Sequence, residues 1–264
     1  MRLSSAAKAT DRVSKMRIAV MLSGCGTNAE KIIEFNSKNY IVSLLFSDNP
    51  DSNCKKISEK FKIPCEIVDI ENFYLNTPKS DMKRRSEYDS LISDIFRKNK
   101  IDLVALAGYR WVITSALYEN FTVLNIHPGD LRVIDKNGLR KYRGLGWVPV
   151  AKALLNKEKE LYSTVHFVNG ELDGGKIACI SKPVKIDIDD AIFNQISEGP
   201  GIKTIKMMLK NNNPYVEDVL LYKLSLKNLE KLKQEGDWKV FPVCIDKVCR
   251  KKGKKDIEEM MNDE

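Results

Sequence analysis

Asn125 and His127 stand one residue apart at the end of the apolar run FTVLNIH, immediately before Pro128 and Gly129. In an extended strand, residues i and i+2 share a face. An amide and an imidazole therefore point together at the sheet edge that the Pro-Gly turn opens. There they are placed for acid–base or hydrogen-bonding chemistry on a bound group; the alternative is a strand end that contains a histidine. The chain has one other histidine, His166, within STVHFV, where a buried, hydrogen-bonded support role is expected.

A second stretch with chemical meaning is SGCGTN, Ser23 to Asn28, which follows an apolar run and opens a helical pattern. Exposed N–H groups at a helix start attract anions, aided by the helix dipole, and glycine lets a phosphate approach the backbone. Asp48 lies at the distance at which a dinucleotide-binding motif places its ribose contact, but the third glycine of that motif is replaced by Ala29. Three readings stay open: a dinucleotide site, a single phosphate held by Gly26, Thr27 and Asn28, or a purely structural turn.

The elements that must position these residues alternate. RIAVMLSG, IVSLLFSD, CEIVDI, IDLVALAGY and FTVLNIH read as strands. Between them TNAEKIIEFNSK, with Thr27 or Asn28 as its cap, CKKISEKFKI, SEYDSLISDIFRKNK and WVITSALYEN read as helices, and ENFYLNTPKSDMKRR as a polar, partly ordered loop. This alternation predicts an α/β fold, a Rossmann-like, mostly parallel twisted sheet with helices on both faces. A long loop with a DKNG turn runs from Pro128 to Gly146. VPVAKALLNKEK (helix), LYSTVHFV and KIACISKPVKI (strands) and DDAIFNQISE and GIKTIKMMLK (helices) follow. After Asn211 the pattern weakens to short strands and an irregular or helical tail. The expected division is an N-terminal disordered extension over 1–15, an α/β domain over 16–210, and a C-terminal extension with a basic tail over 211–264.

Composition excludes several classes. The 264 residues are 43% apolar and 30% charged, as in a folded globular protein, and no stretch approaches a membrane span. Six scattered cysteines form neither a zinc spacing nor a disulfide framework, so no metal is expected and a reducing, cytoplasmic setting is. The net charge of +8 is partly carried by KVCRKKGKK near the end. No aromatic recognition motif is interleaved there, so nucleic acid is not an expected partner, and a basic surface suits an anionic substrate. The basic, Ser/Ala-rich opening segment lacks the long apolar region of a secretory signal.

Taken in order, SGCGTN, VALAGY, LNIHP, STVHFV and ELDGG make the chain resemble the folate-dependent formyltransferases over Arg17 to Lys210. The resemblance implies transfer of a formyl group from 10-formyltetrahydrofolate, a co-substrate, to a small-molecule amine. The leading acceptor is glycinamide ribonucleotide of purine biosynthesis, and a homodimer is allowed. It matches Asn125, His127 and Asp173 to the catalytic triad, and Gly26, Thr27 and Asn28 to the loop on the substrate phosphate. It matches Glu198 to an acid near the amine. Arg85, the segment Arg110, Trp111, Val112 and Ile113, and the loop Asn169, Gly170, Glu171 and Leu172 match folate contacts. In that chemistry Asn125 and His127 would donate N–H groups to the oxyanion, while Asp173 holds His127 or relays a proton through water.

The chain departs from the family pattern around the site. After NIHP it has GDLRVIDKNGLRKYRGLGW instead of a Ser-Leu-Leu-Pro run, Gly146 stands where a second histidine is usual, and glycine follows Glu198. The altered rim leaves another amine, such as an amino sugar, or hydrolysis of the folate donor as the alternative. The size of the chain beyond Lys210 disfavours a tRNA-formylating enzyme with its RNA-binding domain. A nicotinamide-dependent oxidoreductase would leave NIHP and ELDGG without a role, and a degenerate binding protein would leave the triad without one.

Overall fold

A computed structural model describes residues 15–251. The extension expected over 1–15, apart from Lys15, and the tail after Lys251 lie outside the described residues. The sheet has the order β3-β2-β1-β4-β5-β7-β8. Its parallel part comprises β1 (Met16–Leu22), β2 (Tyr40–Ser47), β3 (Cys65–Ile67), β4 (Leu103–Leu106) and β5 (Thr122–His127). β7 (Thr164–Phe167) and β8 (Ile177–Ile180) continue it antiparallel, and β6 (Glu160–Leu161) and β9 (Val184–Lys185) form a separate pair.

Burial on both faces explains why β1 is apolar from Ile18 to Leu22 rather than alternating. Ile18, Val20 and Leu22 face one core, shared with α1 (Thr27–Glu34) and α2 (Cys54–Phe61). Ala19 and Met21 face the other, shared with α3 (Ile70–Tyr74), α4 (Met82–Lys98) and α5 (Ser115–Tyr118). The segment expected to be loop, Glu71 to Arg85, supplies most of α3 and the first turn of α4, whose remainder is the expected helix SEYDSLISDIFRKNK. α3 is capped by Asp69, which accepts from the amides of Glu71 and Asn72, and α4 starts at Met82 because Asp81 caps Lys83 and Arg84 in the same way. A third apolar cluster joins α6 (Val148–Leu155), α7 (Asp190–Glu198), α8 (Ile202–Lys210) and α9 (Leu220–Leu232).

The expectation of short strands after Asn211 is not met. A 3₁₀ turn over Pro214–Asp218 leads into α9, a π turn over Lys233–Asp237 follows, and α10 (Trp238–Arg250) completes a nearly continuous helical rod. α10 places Phe241, Cys244, Ile245 and Val248, all essentially inaccessible, in the same core as β1 and α1. Asp246 anchors it, accepting hydrogen bonds from Ser37 Oγ and from Asn39 Nδ2 at 2.9 Å. These residues close one face of the sheet.

The order 3-2-1-4-5 reverses direction between β1 and β4, and the crevice beyond their carboxyl ends is where open α/β sheets bind ligands. The turn after β1 depends on Gly26. It has φ 70°, and a Cβ there would stand 2.4 Å from Ile57 Cδ1 and 2.8 Å from Leu22 Cδ1. The expected cap on Thr27 or Asn28 is therefore corrected: Gly26 itself is the N-cap and no side chain caps α1. Gly26→Ala combines left-handed strain with overpacking, and chemical denaturation should show about 2–4 kcal/mol of lost stability.

Candidate active site

A cavity of about 480 Å³ opens at this crevice, lined by Gly24 to Asn28 from the turn after β1 and by Asn125 and His127 from β5. Asp173, Gly144 to Gly146, Arg110, Lys233 and Asp237 also line it. Segments far apart in the chain, read separately as an anion loop and a triad, thus share one chamber.

The register of β5 on β7 sets the centre. Asn125 pairs opposite His166 and His127 opposite Thr164. His166 Nδ1 donates to the Phe167 carbonyl at 2.9 Å, so its Nε2 carries the lone pair and accepts from Asn125 Nδ2 at 3.1 Å. His166 is 2% exposed, and burial pushes its pKa down to about 4. It is a neutral support that aims the Asn125 amide. The second amide hydrogen of Asn125 has no partner among the described residues and is left for a ligand.

His127 is also 2% exposed, and burial lowers its pKa despite Asp173 and the Tyr142 carbonyl, which favour the charged form. Its Nε2 donates to the Tyr142 carbonyl at 2.8 Å, which leaves the Nδ1 lone pair facing Asp173 Oδ1 at 3.5 Å. That spacing exceeds an ordinary hydrogen bond, as expected when a neutral imidazole presents a lone pair to a carboxylate. A proton arriving on Nδ1 would at once gain Asp173 as partner. The N–H expected to reach an oxyanion is therefore held by Tyr142, and the free donor of the pair is Asn125.

Asp173 is fixed by backbone. It adopts φ 53°, a left-handed conformation that aspartate tolerates. Its Oδ2 accepts from Gly144 N at 2.9 Å, and its carbonyl accepts from Arg140 Nη1 at 2.6 Å. The long loop is thereby stitched to the ELDGG turn. Within it Asp135 accepts from the amides of Asn137 and Leu139, so DKNG closes a small hairpin.

Gly26 and Thr27 line the cavity with the uncapped amides of α1 beside them. Asn28 lines it too, but its Nδ2 donates to Asp237 Oδ2 at 3.1 Å. Glu198 is exposed at the end of α7 and does not line the chamber. The acid contributed from beyond β8 is Asp237, in the π turn. It is 5% exposed, accepts from Ser163 Oγ at 2.5 Å, and its pKa is raised by burial. Sequence reasoning missed it together with Lys233. The visible signals were only Gly236 and Pro242 within an otherwise helical stretch.

A second cavity of about 840 Å³ adjoins the first, sharing Arg110 and Leu145 and lined further by Arg85, Trp111 and Val112. Arg85 is 2% exposed and lies 5.2–5.7 Å from the rings of Tyr88, Tyr109 and Trp111. Its Nη2 pairs with Asp89 at 2.9 Å and donates to Tyr109 OH at 3.0 Å, while Nε and Nη1 have no partner among the described residues. Ile113 is buried in the core, and Asn169, Gly170, Glu171 and Leu172 form an exposed loop that lines neither cavity.

An asparagine, a histidine and an aspartate thus converge at the switch point of a Rossmann-like sheet. The chain belongs to the formyl transferase family, whose model matches residues 16–195. It is 32% identical over 181 residues to a phosphoribosylglycinamide formyltransferase of Haemophilus influenzae, covering 67% of this chain and 76% of that protein. With the enzyme of that name from Bacillus subtilis it shares 28% over 181 residues, 67% of this chain and 83% of the relative. Among solved structures, phosphoribosylglycinamide formyltransferase from Campylobacter jejuni superposes with a TM-score of 0.62 at 19% identity. That match covers 89% of this chain and 98% of that one, and shows the same fold. Family membership makes the chain a formyltransferase using a folate-derived formyl donor. No helix among the described residues is long and apolar enough to cross a membrane.

The buried histidines give a pH dependence with a defined sign. His166, lowered to about 4 from 6.5, binds fewer protons folded than unfolded between those values. Its contribution is present above pH 6.5 and is lost as pH falls through 4, about 3 kcal/mol in all. Denaturant titrations of wild type and His166→Asn across pH 4–7 should differ by that slope, and parallel curves would refute the assignment.

Proposed function

We propose that the chain transfers the formyl group of 10-formyltetrahydrofolate to the amine of glycinamide ribonucleotide. The observation that carries this reading is the single chamber shared by the uncapped N-terminus of α1 and the Asn125–His127–Asp173 group. An acceptor with a phosphate at one end and an amine at the other spans such a chamber. The α1 amides at Gly26, Thr27 and Asn28 suit the phosphate, and Lys233, whose ammonium pairs with Glu230 at 3.0 Å, lines the same chamber. The names of the relatives point to the same substrate.

The residues of the chain divide the work. Asn125 directs its free amide hydrogen at the formyl oxygen, on which charge grows as the amine attacks the formyl carbon. The neutral His127 Nδ1, backed by Asp173, takes the proton that the amine must lose and returns it to the leaving nitrogen of the folate, directly or through one water. His127 stays neutral until that moment because it is buried. For Nε2 to help the oxyanion as well, the Tyr142 carbonyl must first release it.

The second cavity fits the donor. Arg85 underlies its wall as a buried positive charge, with Nε and Nη1 sealed from solvent, and Trp111 and Val112 offer apolar surface to a flat ring. The exposed loop from Asn169 to Leu172 and the surface Glu198 are given no part in this assignment.

Purified protein should release tetrahydrofolate from 10-formyltetrahydrofolate only when glycinamide ribonucleotide is present, followed spectrophotometrically. Release without the acceptor would instead establish hydrolysis, and release only with an amino sugar a different acceptor. His127→Ala should lower kcat/KM by roughly 10²–10⁴-fold with circular dichroism unchanged. Lys233→Met should raise the acceptor KM roughly tenfold, the loss of one charge-assisted contact, and leave the folate KM in place.

A further inference from the structure

Asp48 takes no part in the chemistry above, yet it is 3% exposed and lines the second cavity. Its Oδ1 accepts from Ser23 Oγ at 2.5 Å and its Oδ2 from Trp111 Nε1 at 2.8 Å. Ser23 Oγ in turn accepts from the Arg110 amide at 3.0 Å. Ser23 is the root of the glycine turn that faces the first cavity, and Trp111 walls the second. The indole is held flat against Tyr74, with ring centroids 6.0 Å apart and 20° between planes, and sits 5.5 Å from the Arg85 guanidinium.

One carboxylate therefore grips both the base of the anion loop and the aromatic wall of the neighbouring chamber. The residue type is dictated by its two partners. Ser23 and Trp111 each bring a hydrogen, so both oxygens must accept. A carboxylate of this length does so, whereas an asparagine would turn an N–H toward one of two donors. The same engagement removes Asp48 from any ribose contact, and with it the main support for a nicotinamide site.

We infer that Asp48 is a positioning residue that couples the two substrate subsites through Ser23 and Trp111. This rests on the assignment of the first cavity to the acceptor and the second to the folate. Order imposed on the glycine turn by a bound phosphate passes through the Ser23–Asp48–Trp111 chain to the wall of the donor chamber. By linkage the folate acts back on acceptor affinity by the same factor.

The test combines steady-state kinetics with the indole ¹⁵N–H resonance of Trp111, assigned by its loss in Trp111→Phe. Ser23→Ala should raise the acceptor KM and Trp111→Phe the folate KM. Asp48→Asn should raise both, each by roughly 3–10-fold as expected for one hydrogen bond, with kcat little changed. Glycinamide ribonucleotide should shift the Trp111 resonance in the wild type and leave it unmoved in Asp48→Asn. An Asp48→Asn enzyme with both KM values unchanged and only a lower Tm, or with a wild-type indole response, overturns the coupling. Should that variant not fold, Ser23→Ala decides: a Trp111 shift that survives there overturns it equally. A wild-type protein that neither binds nor formylates the ribonucleotide would count against the assigned reaction itself, and would remove the coupling with it.

Discussion

The antiparallel pairing of β5 with β7 is the constraint on which the site depends. Its register sets Asn125 against His166, and a slip of one residue would turn every side chain of the strand to the other face. From that register follow the lone pair that aims the Asn125 amide, the placement of His127 beside the ELDGG turn, and the approach of Asp173 to both histidines. The parallel strands bring the glycine turn to the same edge. Asn125 and His127 are held by sheet geometry, while Asp173 stands on a loop, where a left-handed backbone and two bonds from the neighbouring loop restrain it.

Burial gives these groups their chemical character. A histidine in water would be partly charged near neutrality. Here both rings are withdrawn from solvent and stay neutral, so the lone pair of His127 is available to accept a proton. Asp173 and the Tyr142 carbonyl favour the charged form of His127, against the burial that opposes it. At the other end of the chamber the α1 amides have no side-chain cap, and Lys233 pairs with Glu230.

Much of this was legible in the sequence, for reasons that differ by element. Strands buried on both faces read as apolar runs, so β1, β2 and β5 are legible with near-correct ends, while β4 occupies only Leu103–Leu106 of the run IDLVALAGY. Asn125, His127 and the glycine turn carried short-range signatures. The polar stretch around Glu71 to Arg85 hides two caps: Asp69 starts the short α3 and Asp81 starts α4 one turn earlier than the apolar pattern alone indicates. α1 shows the reverse, since Thr27 and Asn28 are good caps by type but Gly26 takes the position by backbone conformation. Asp237 was out of reach, because its meaning lies in Asn28 and Ser163, which no local pattern connects to a π turn near the end of the chain. Glu198 had the better local signal and the worse location.

The bonds that α10 and the π turn make to α1 and to the turn after it carry a consequence for synthesis of the chain. Asn28 meets Asp237, and Ser37 meets Asp246, across 209 residues of sequence in each case. During translation the sheet has all its strands while one of its faces still waits for α10. The nascent chain must keep that apolar face, and a chamber with no floor, away from other proteins until residues beyond 246 clear the ribosome. A chain cut short before α10 exposes the core that Phe241, Cys244, Ile245 and Val248 cover.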